Sequence, residues 1–533
     1  MARGWLAAIP LTFLALLAAA PVLRLLAEGW AAAPGTAFWS VWGDDFLRGR
    51  LLWSLAQAAI TCVLALGLGL PLAWVLARWE FAGRALVLRL LMLPFVVPTL
   101  VAALGVLALW GPRGWFGAPL AQMGIDLTDT PWLLLYGNLF FNLCLVVRAG
   151  VDALEQVSAT RVAAARSLGA TPWRAFWRVE WPAVAPWLLS ALCLVFLYCF
   201  AGFGLALILG GQRWATLEVE IYTLVAHELA LGQAGVLAVW GLLLSGSVAL
   251  AYAVLERRLA APGSVRPLPR VRPAGGLQRL ALGLALLTLA LVCLLPLLAI
   301  VLRALQALVW GQGLAVLADP LTLTALGNTL RFAGMALVLA TVLGLLHAAT
   351  ARAAGALGLA WRAAAYLPFV LSPISVAFGL LLLYPDAVAT LPLLVAAYAL
   401  LAYPFVARSI GAALDQLPAH PAQVAATLGA SPWRVWWRVT LPMVRPALRR
   451  GMAFAAATAL GEFAVSLFLS RPEWLTLTTL IHQRLGRPGA ASLDAALVLA
   501  LLLMLLALAA FLLIDPPARR ARARTHRTAP DHA

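Results

Sequence analysis

One carboxylate stands inside a strongly apolar stretch of this chain: Glu462, in the run ALGEFAVSLFL. An ionisable group in hydrocarbon is costly and marks a functional position by default. Two roles are open for it. It could face a cationic solute in a substrate pathway, or hold a gate together as a carboxylate hydrogen-bonded at a helix break. The other reactive groups are dispersed. His227, His347 and His482 have no Cys or carboxylate at ligand spacing, so no metal site is expected. Cys62, Cys144, Cys193, Cys199 and Cys293 all lie in apolar runs, and their odd number argues against a disulfide framework. The chain has no lysine, so it cannot carry a GxxxxGK[ST] phosphate loop. No nucleophile–base pair is visible either. The chain is therefore expected not to be an enzyme by itself. Glu218, Glu220 and Arg213 fall in a segment expected outside the membrane, where a docked protein or plain solvation would account for them.

The most regular pattern is a repeat. Residues 161–182 read RVAAARSLGATPWRAFWRVEWP and residues 422–442 read AQVAATLGASPWRVWWRVTLP. Gly169, Pro172, Trp173, Arg174, Trp177, Arg178, Val179 and Pro182 recur 260 positions later as Gly429, Pro432, Trp433, Arg434, Trp437, Arg438, Val439 and Pro442. Upstream, Arg148, Ala153, Leu154 and Gln156 match Arg408, Ala413, Leu414 and Gln416, and Glu155 is answered by Asp415. LPFV at residues 93–96 recurs at 367–370. In each loop Ala163 to Leu168, or Gln423 to Leu428, predicts a short helix, and Gly169 or Gly429 suits its C-terminal turn. A second helical stretch follows with Trp and Arg. One such loop could be an interfacial anchor. Two copies at fixed spacing suit a surface that meets the same partner twice.

The elements that carry these loops follow from composition. Hydrophobic residues make up 64% and charged residues 11% of 533, with a net charge of +17. Soluble domains and disorder are both excluded, which leaves a polytopic membrane protein. Twelve apolar segments are expected to cross as helices: 5–27, 51–77, 86–110, 131–152, 183–208, 233–255, 280–302, 326–350, 363–384, 387–407, 451–470 and 493–514. Pro94, Pro98, Pro368 and Pro373 fall inside two of them and are expected to be accommodated within the bundle. With the N-terminus inside, the inside segments hold 28 of the 38 arginines and 8 of the 21 acids. This asymmetry places both termini in the cytoplasm. It also removes the case for a nucleic-acid partner, which would need the charge on a soluble face. The first segment could be a cleaved signal sequence, but its length favours retention.

The expected organisation is two parallel six-helix repeats. Residues 1–255 form the first unit with loop 156–182, and 280–515 the second with loop 416–442. Residues 256–279, rich in Arg, Pro and Gly, form an inside linker, and 516–533 a basic tail.

The repeated loop resembles the EAA loop of the membrane subunits of ATP-binding-cassette importers, Glu-Ala-Ala with a Gly four residues on and Leu-Pro downstream. Ala163, Ala164, Ala165, Leu168, Gly169, Trp173, Arg174 and Pro182 occupy the first copy. Gln423, Ala425, Leu428, Gly429, Trp433, Arg434 and Pro442 occupy the second. The Glu is absent from both, so no role for it transfers. The stretches GWFG (114–117), FFNL (140–143), VEWP (179–182) and ATLEVEIYT (215–223) resemble the fused two-domain permeases of thiamine importers. Ferric-iron permeases share part of this pattern. The resemblance implies the type I importer permease fold in a bacterial inner membrane. It implies a cytoplasmic ATPase dimer engaging both loops, with ATP and Mg on that partner and no cofactor on this chain. It further implies a periplasmic binding protein that delivers thiamine or its phosphates. The alternatives are a ferric-iron or other small-solute importer and, more remotely, an ion-coupled twelve-helix transporter.

Overall fold

The computed structural model describes residues 4–31, 37–259, 268–311, 313–353, 358–388, 390–418, 420–469 and 471–516. Parts of the linker (260–267) and nearly all of the basic tail (517–533) lie outside the described residues. Among the described residues the regular structure is helical, with one isolated β-bridge between Trp79 and Val271. Helices are what apolar runs of this length must form, because hydrocarbon offers the backbone no other hydrogen-bond partner.

Nine described helices are long and apolar enough to span: Leu6–Ala31, Asp45–Arg78, Trp132–Glu155, Pro172–Phe200, Leu231–Leu255, Gly276–Trp310, Pro320–Ala351, Leu391–Gln416 and Ala490–Ile514. The other three expected spans differ for physical reasons. The third is not one helix: Arg84–Val96 and Thr99–Trp110 meet at 106°. Pro94 sits in the first turn of the helix Leu93–Val96, Val97 is extended (φ −74°, ψ 134°), and Pro98 precedes the next helix. A proline disfavours the helical region for the residue before it, so Pro98 breaks the span instead of being absorbed by it. The ninth span repeats the break. It consists of Gly358–Ala364, Leu367–Val370 and Pro373–Leu383, with Leu371 extended before Ser372 and Pro373. The eleventh starts at Leu441 rather than 451, and its first half carries Arg445, Arg449 and Arg450.

The fifth and eleventh helices also end earlier than expected. Trp181–Phe200 stops before a break at 201–203 and resumes as Gly204–Leu209. Leu441–Leu460 stops before 461–463 and resumes as Ala464–Leu469. After each break comes a helix whose first turns are buried, Leu217–Ala226 or Leu477–Leu485, where loops were expected.

The halves interlock. Pro21 of the first span packs so closely on the second half that a Cβ at Gly379 would lie 2.7 Å from the proline Cβ and 2.9 Å from its carbonyl oxygen. Leu14, Leu17 and Ala18 share a core with Phe332, Ala336, Tyr398 and Tyr403. The seventh span does the reverse: a Cβ at Gly105 would lie 2.7 Å from the Pro296 carbonyl oxygen. Both crossing helices carry a five-residue π turn, Ala15–Ala19 and Ala290–Leu294, ending two residues before the proline. The same relation recurs at Phe176–Glu180 before Pro182 and Trp436–Thr440 before Pro442. A proline removes one hydrogen bond and crowds the carbonyl four residues back, and widening that turn relieves the clash.

Candidate functional site

The two repeated loops fold alike, residue for residue. In the first, the Ser158 hydroxyl accepts from the Arg161 N–H and starts the helix Ala159–Ser167. The helix ends at Gly169, whose φ of +85° lies in the left-handed region. There the Ala170 N–H donates to the Ala165 carbonyl and the Gly169 N–H to Arg166, the paired bonds of a Schellman end. Thr171 caps Pro172–Ala175, which runs through the π turn into the fifth span. In the second loop His420–Thr427 ends at Gly429 (φ +81°), Ala430 donates to the Ala425 carbonyl, and Ser431 caps Pro432–Val435.

The shared geometry presents the same side chains outward. Leu168 and Leu428 are 88% and 82% exposed, and Trp173 and Trp433 are each 69% exposed. Trp173 meets Trp177 edge-on at 5.5 Å, and Trp433 meets Trp437 edge-on at 5.4 Å. Ala163, Ala164, Arg174 and Pro182 in one copy, and Gln423, Arg434 and Pro442 in the other, are exposed as well, while Ala165 and Ala425 are half-buried. Each loop therefore offers an apolar ridge of Leu and Trp flanked by arginine, set by the left-handed turn between two short helices. At the loop's exit, Glu180 is buried and ion-paired with Arg78 of the second span.

A second region lies where the breaks of both halves meet. Phe203 and Phe463, equivalent positions 260 apart, stack at 5.8 Å with an interplanar angle of 22°. Both are buried. Glu462 sits in the break just before Phe463 and is itself buried. Its carboxylate accepts from the Val465 N–H at 3.0 Å, and its carbonyl accepts from the Thr478 hydroxyl at 2.9 Å. It has no ion-pair partner among the described residues. Across the interface between halves, the Ser372 hydroxyl at the ninth-span break donates to Glu218.

This corrects the expectation for the outside acids. Glu218 and Glu220 are buried, neither solvated nor available to a docked protein. Glu220 pairs with Arg50 at 3.2 Å, and Arg50 also donates to the carbonyls of Arg213 and Gln212. A sequence window with two acids reads as a loop, and nothing local announces a partner such as Ser372 in the other half. Phe203 and Ser372 were missed as well. The recurrence of Phe at 203 and 463 was the available signal. His347 is buried, hydrogen-bonded to Tyr403 and stacked on Trp361. No group of His, Cys, Asp or Glu among the described residues could hold a metal ion.

The family model described as "Binding-protein-dependent transport system inner membrane component" matches the chain twice, at residues 69–261 and 336–522. The chain is 30% identical over 530 residues to the thiamine transport system permease protein of Escherichia coli strain K12, covering 96% of each. Against the protein of the same description from Haemophilus influenzae it is 27% identical over 496 residues, covering 89% of this chain and 90% of that one. The sulfate transport system permease protein CysW of Synechocystis is 32% identical over 239 residues, covering 44% of this chain and 86% of its own. Two matches of one family model fall on the two repeats, and each takes in one of the twin loops. The chain belongs to the family of binding-protein-dependent transport system inner membrane components.

Proposed function

We propose that this chain is the membrane subunit of an ATP-driven importer that carries thiamine and its phosphate esters across the bacterial inner membrane. The observation that carries the reading is the pair of equivalent loops, each with the same exposed Leu before a left-handed glycine and the same exposed Trp and Arg on the short helix after it. A symmetric cytoplasmic ATPase dimer would meet both. ATP and Mg reside on that partner, and a periplasmic protein delivers the solute to the opposite face. The arginine distribution supports a cytoplasmic position for both termini. Closure of the ATPase dimer draws the two loops together and opens the pathway outward, and hydrolysis resets it. The thiamine assignment is supported by the relatives that match nearly the whole chain.

The test is uptake of labelled thiamine into proteoliposomes containing this chain, its ATPase and its binding protein. Thiamine phosphates are expected to compete and ferric ion is not. Competition by ferric ion alone would reassign the substrate. Uptake driven by an ion gradient without ATP would move the chain to the ion-coupled class.

Glu462 acts in this scheme as the residue that holds the break beside the Phe203–Phe463 stack. Gln keeps an acceptor for the Val465 N–H, whereas Ala removes a cap of the kind that contributes about 1 kcal/mol. Glu462→Gln is therefore expected to lose less uptake and less thermal stability than Glu462→Ala. Equal loss in both would instead assign the negative charge to contact with the solute cation.

A further inference from the structure

The described end of the linker, residues 268–272, is docked on the first half. Val271 lies alongside Trp79 in a parallel bridge at the inner end of the second span. The Val271 N–H donates to the Arg78 carbonyl and the Glu80 N–H donates to the Val271 carbonyl, both at 3.0 Å. Leu268 packs against the main core cluster. Arg270 reaches Glu155 at 2.8 Å and Glu80 at 3.5 Å.

These contacts converge on the base of the first repeated loop. Glu155 is the last residue of the fourth span, at the loop's entry, and is gripped from the other side by Arg84 at 2.7 Å. Arg84 is itself buried and donates to the Leu76 carbonyl. Glu180, at the loop's exit, is held by Arg78, the same residue whose carbonyl receives the Val271 N–H. Entry and exit are thus tied to each other through the linker. The second loop is built differently. Its entry acid, Asp415, pairs with Arg362 of its own half, and the position matching Glu180 is the uncharged Thr440.

We infer that residues 268–272 form a strap that fixes the base of the first loop, and that Arg270 is a positioning residue for coupling, acting through Glu155. The inference rests on the reading of the loops as ATPase contacts. Arg270 and Glu155 are partly exposed, and an isolated pair of that kind contributes little. The strap gains its hold by combining that pair with two backbone bonds and the seating of Leu268. It leads directly into the seventh span at Gly276, which the Gly105–Pro296 contact seats on the first half, so strap and span together brace the first loop. One ATPase contact is therefore stiffened by the covalent join between halves, and the other is not.

The experiment uses the full chain reconstituted with its ATPase and binding protein, and reads thiamine molecules taken up per ATP hydrolysed. Arg270→Ala is expected to lower that ratio about threefold, the size of a partly exposed ion pair, with complex yield and thermal stability unchanged. Arg270→Lys, which keeps the charge, is expected to restore most of it. Val271→Pro removes the N–H donated to Arg78 and should lower the ratio by a separate route. A purely structural role would lower yield or thermal stability and leave the ratio alone. A wild-type ratio in both Arg270→Ala and Val271→Pro overturns the strap. The Gly169→Val, Gly429→Val double variant separates the two readings. If it keeps the wild-type ratio, the loop assignment falls. If it uncouples while neither Arg270→Ala nor Val271→Pro does, the strap alone falls.

Discussion

Valine at both Gly169 and Gly429 is expected to cut ATP-driven uptake sharply while the protein still folds and inserts. Both glycines have φ above +80°, where a β-branched residue is strained, and the cost is about 1–2 kcal/mol at each site. Nothing lies within 4 Å of a Cβ built at either position, so the strain stays local and the bundle is spared. Instead the chain leaves the left-handed turn, and the exposed Leu168 and Leu428 lose their place relative to Trp173 and Trp433. With two sites affected, uptake is expected to fall on the order of 100-fold, since each 1.4 kcal/mol is a factor of ten. Each single variant should fall in between. Asparagine tolerates the left-handed region, so Gly169→Asn with Gly429→Asn should retain most of the activity. Uptake and ATPase rates in proteoliposomes decide it, and wild-type uptake in the valine double variant sinks the assignment of these loops.

The second large effect falls on folding. Gly379→Val and Gly105→Val each drive a side chain into the backbone of a crossing helix, at Pro21 or Pro296. Carbonyls in a helix cannot rotate away as a side chain can, so the cost lies toward the upper end of the 1–3 kcal/mol typical of overpacking. Both variants should lower the thermal midpoint in detergent and the yield of inserted protein. Gly411→Val is the control, because a Cβ there meets nothing within 4 Å. If Gly411→Val is as damaging as Gly379→Val, close helix approach is not the cause.

Which of these features could be seen in advance depended on how local their cause is. The twin loops were legible because a 260-residue self-match needs no structure, and the ends at Gly169 and Gly429 follow from one residue type. Nine of the twelve expected spans were legible because an unbroken apolar run of that length needs no distant partner. The breaks at Pro98 and Ser372–Pro373 were visible as prolines but misread as tolerated kinks, since neighbours in a bundle can satisfy the freed backbone groups. The burial of Glu218 and Glu220 was not legible, because their partners Ser372 and Arg50 come from distant segments. The crossing of the first and seventh spans was hidden likewise. In retrospect its mark is the pairing of Pro21 with Gly379 and of Pro296 with Gly105, at nearly the same spacing as the repeat. The four π turns are the most transferable sign. Each ends two residues before a proline, but Pro71, Pro186 and Pro404 lie inside helices with no such turn, so a proline narrows the search without settling it.

The exchange of first helices sets the order in which this chain can become complete during synthesis. The first six spans leave the ribosome with the Gly105 face lacking its cover, which is the seventh span. The first span, made earliest, can seat Gly29 against Gly235 of the sixth span, but Leu14 to Pro21 gain their partners only when the second half is made, more than three hundred residues later. Neither half has all its packing partners until the other is made, so a chain truncated after the linker is expected to keep an open seam and to be cleaved faster by protease than the full chain.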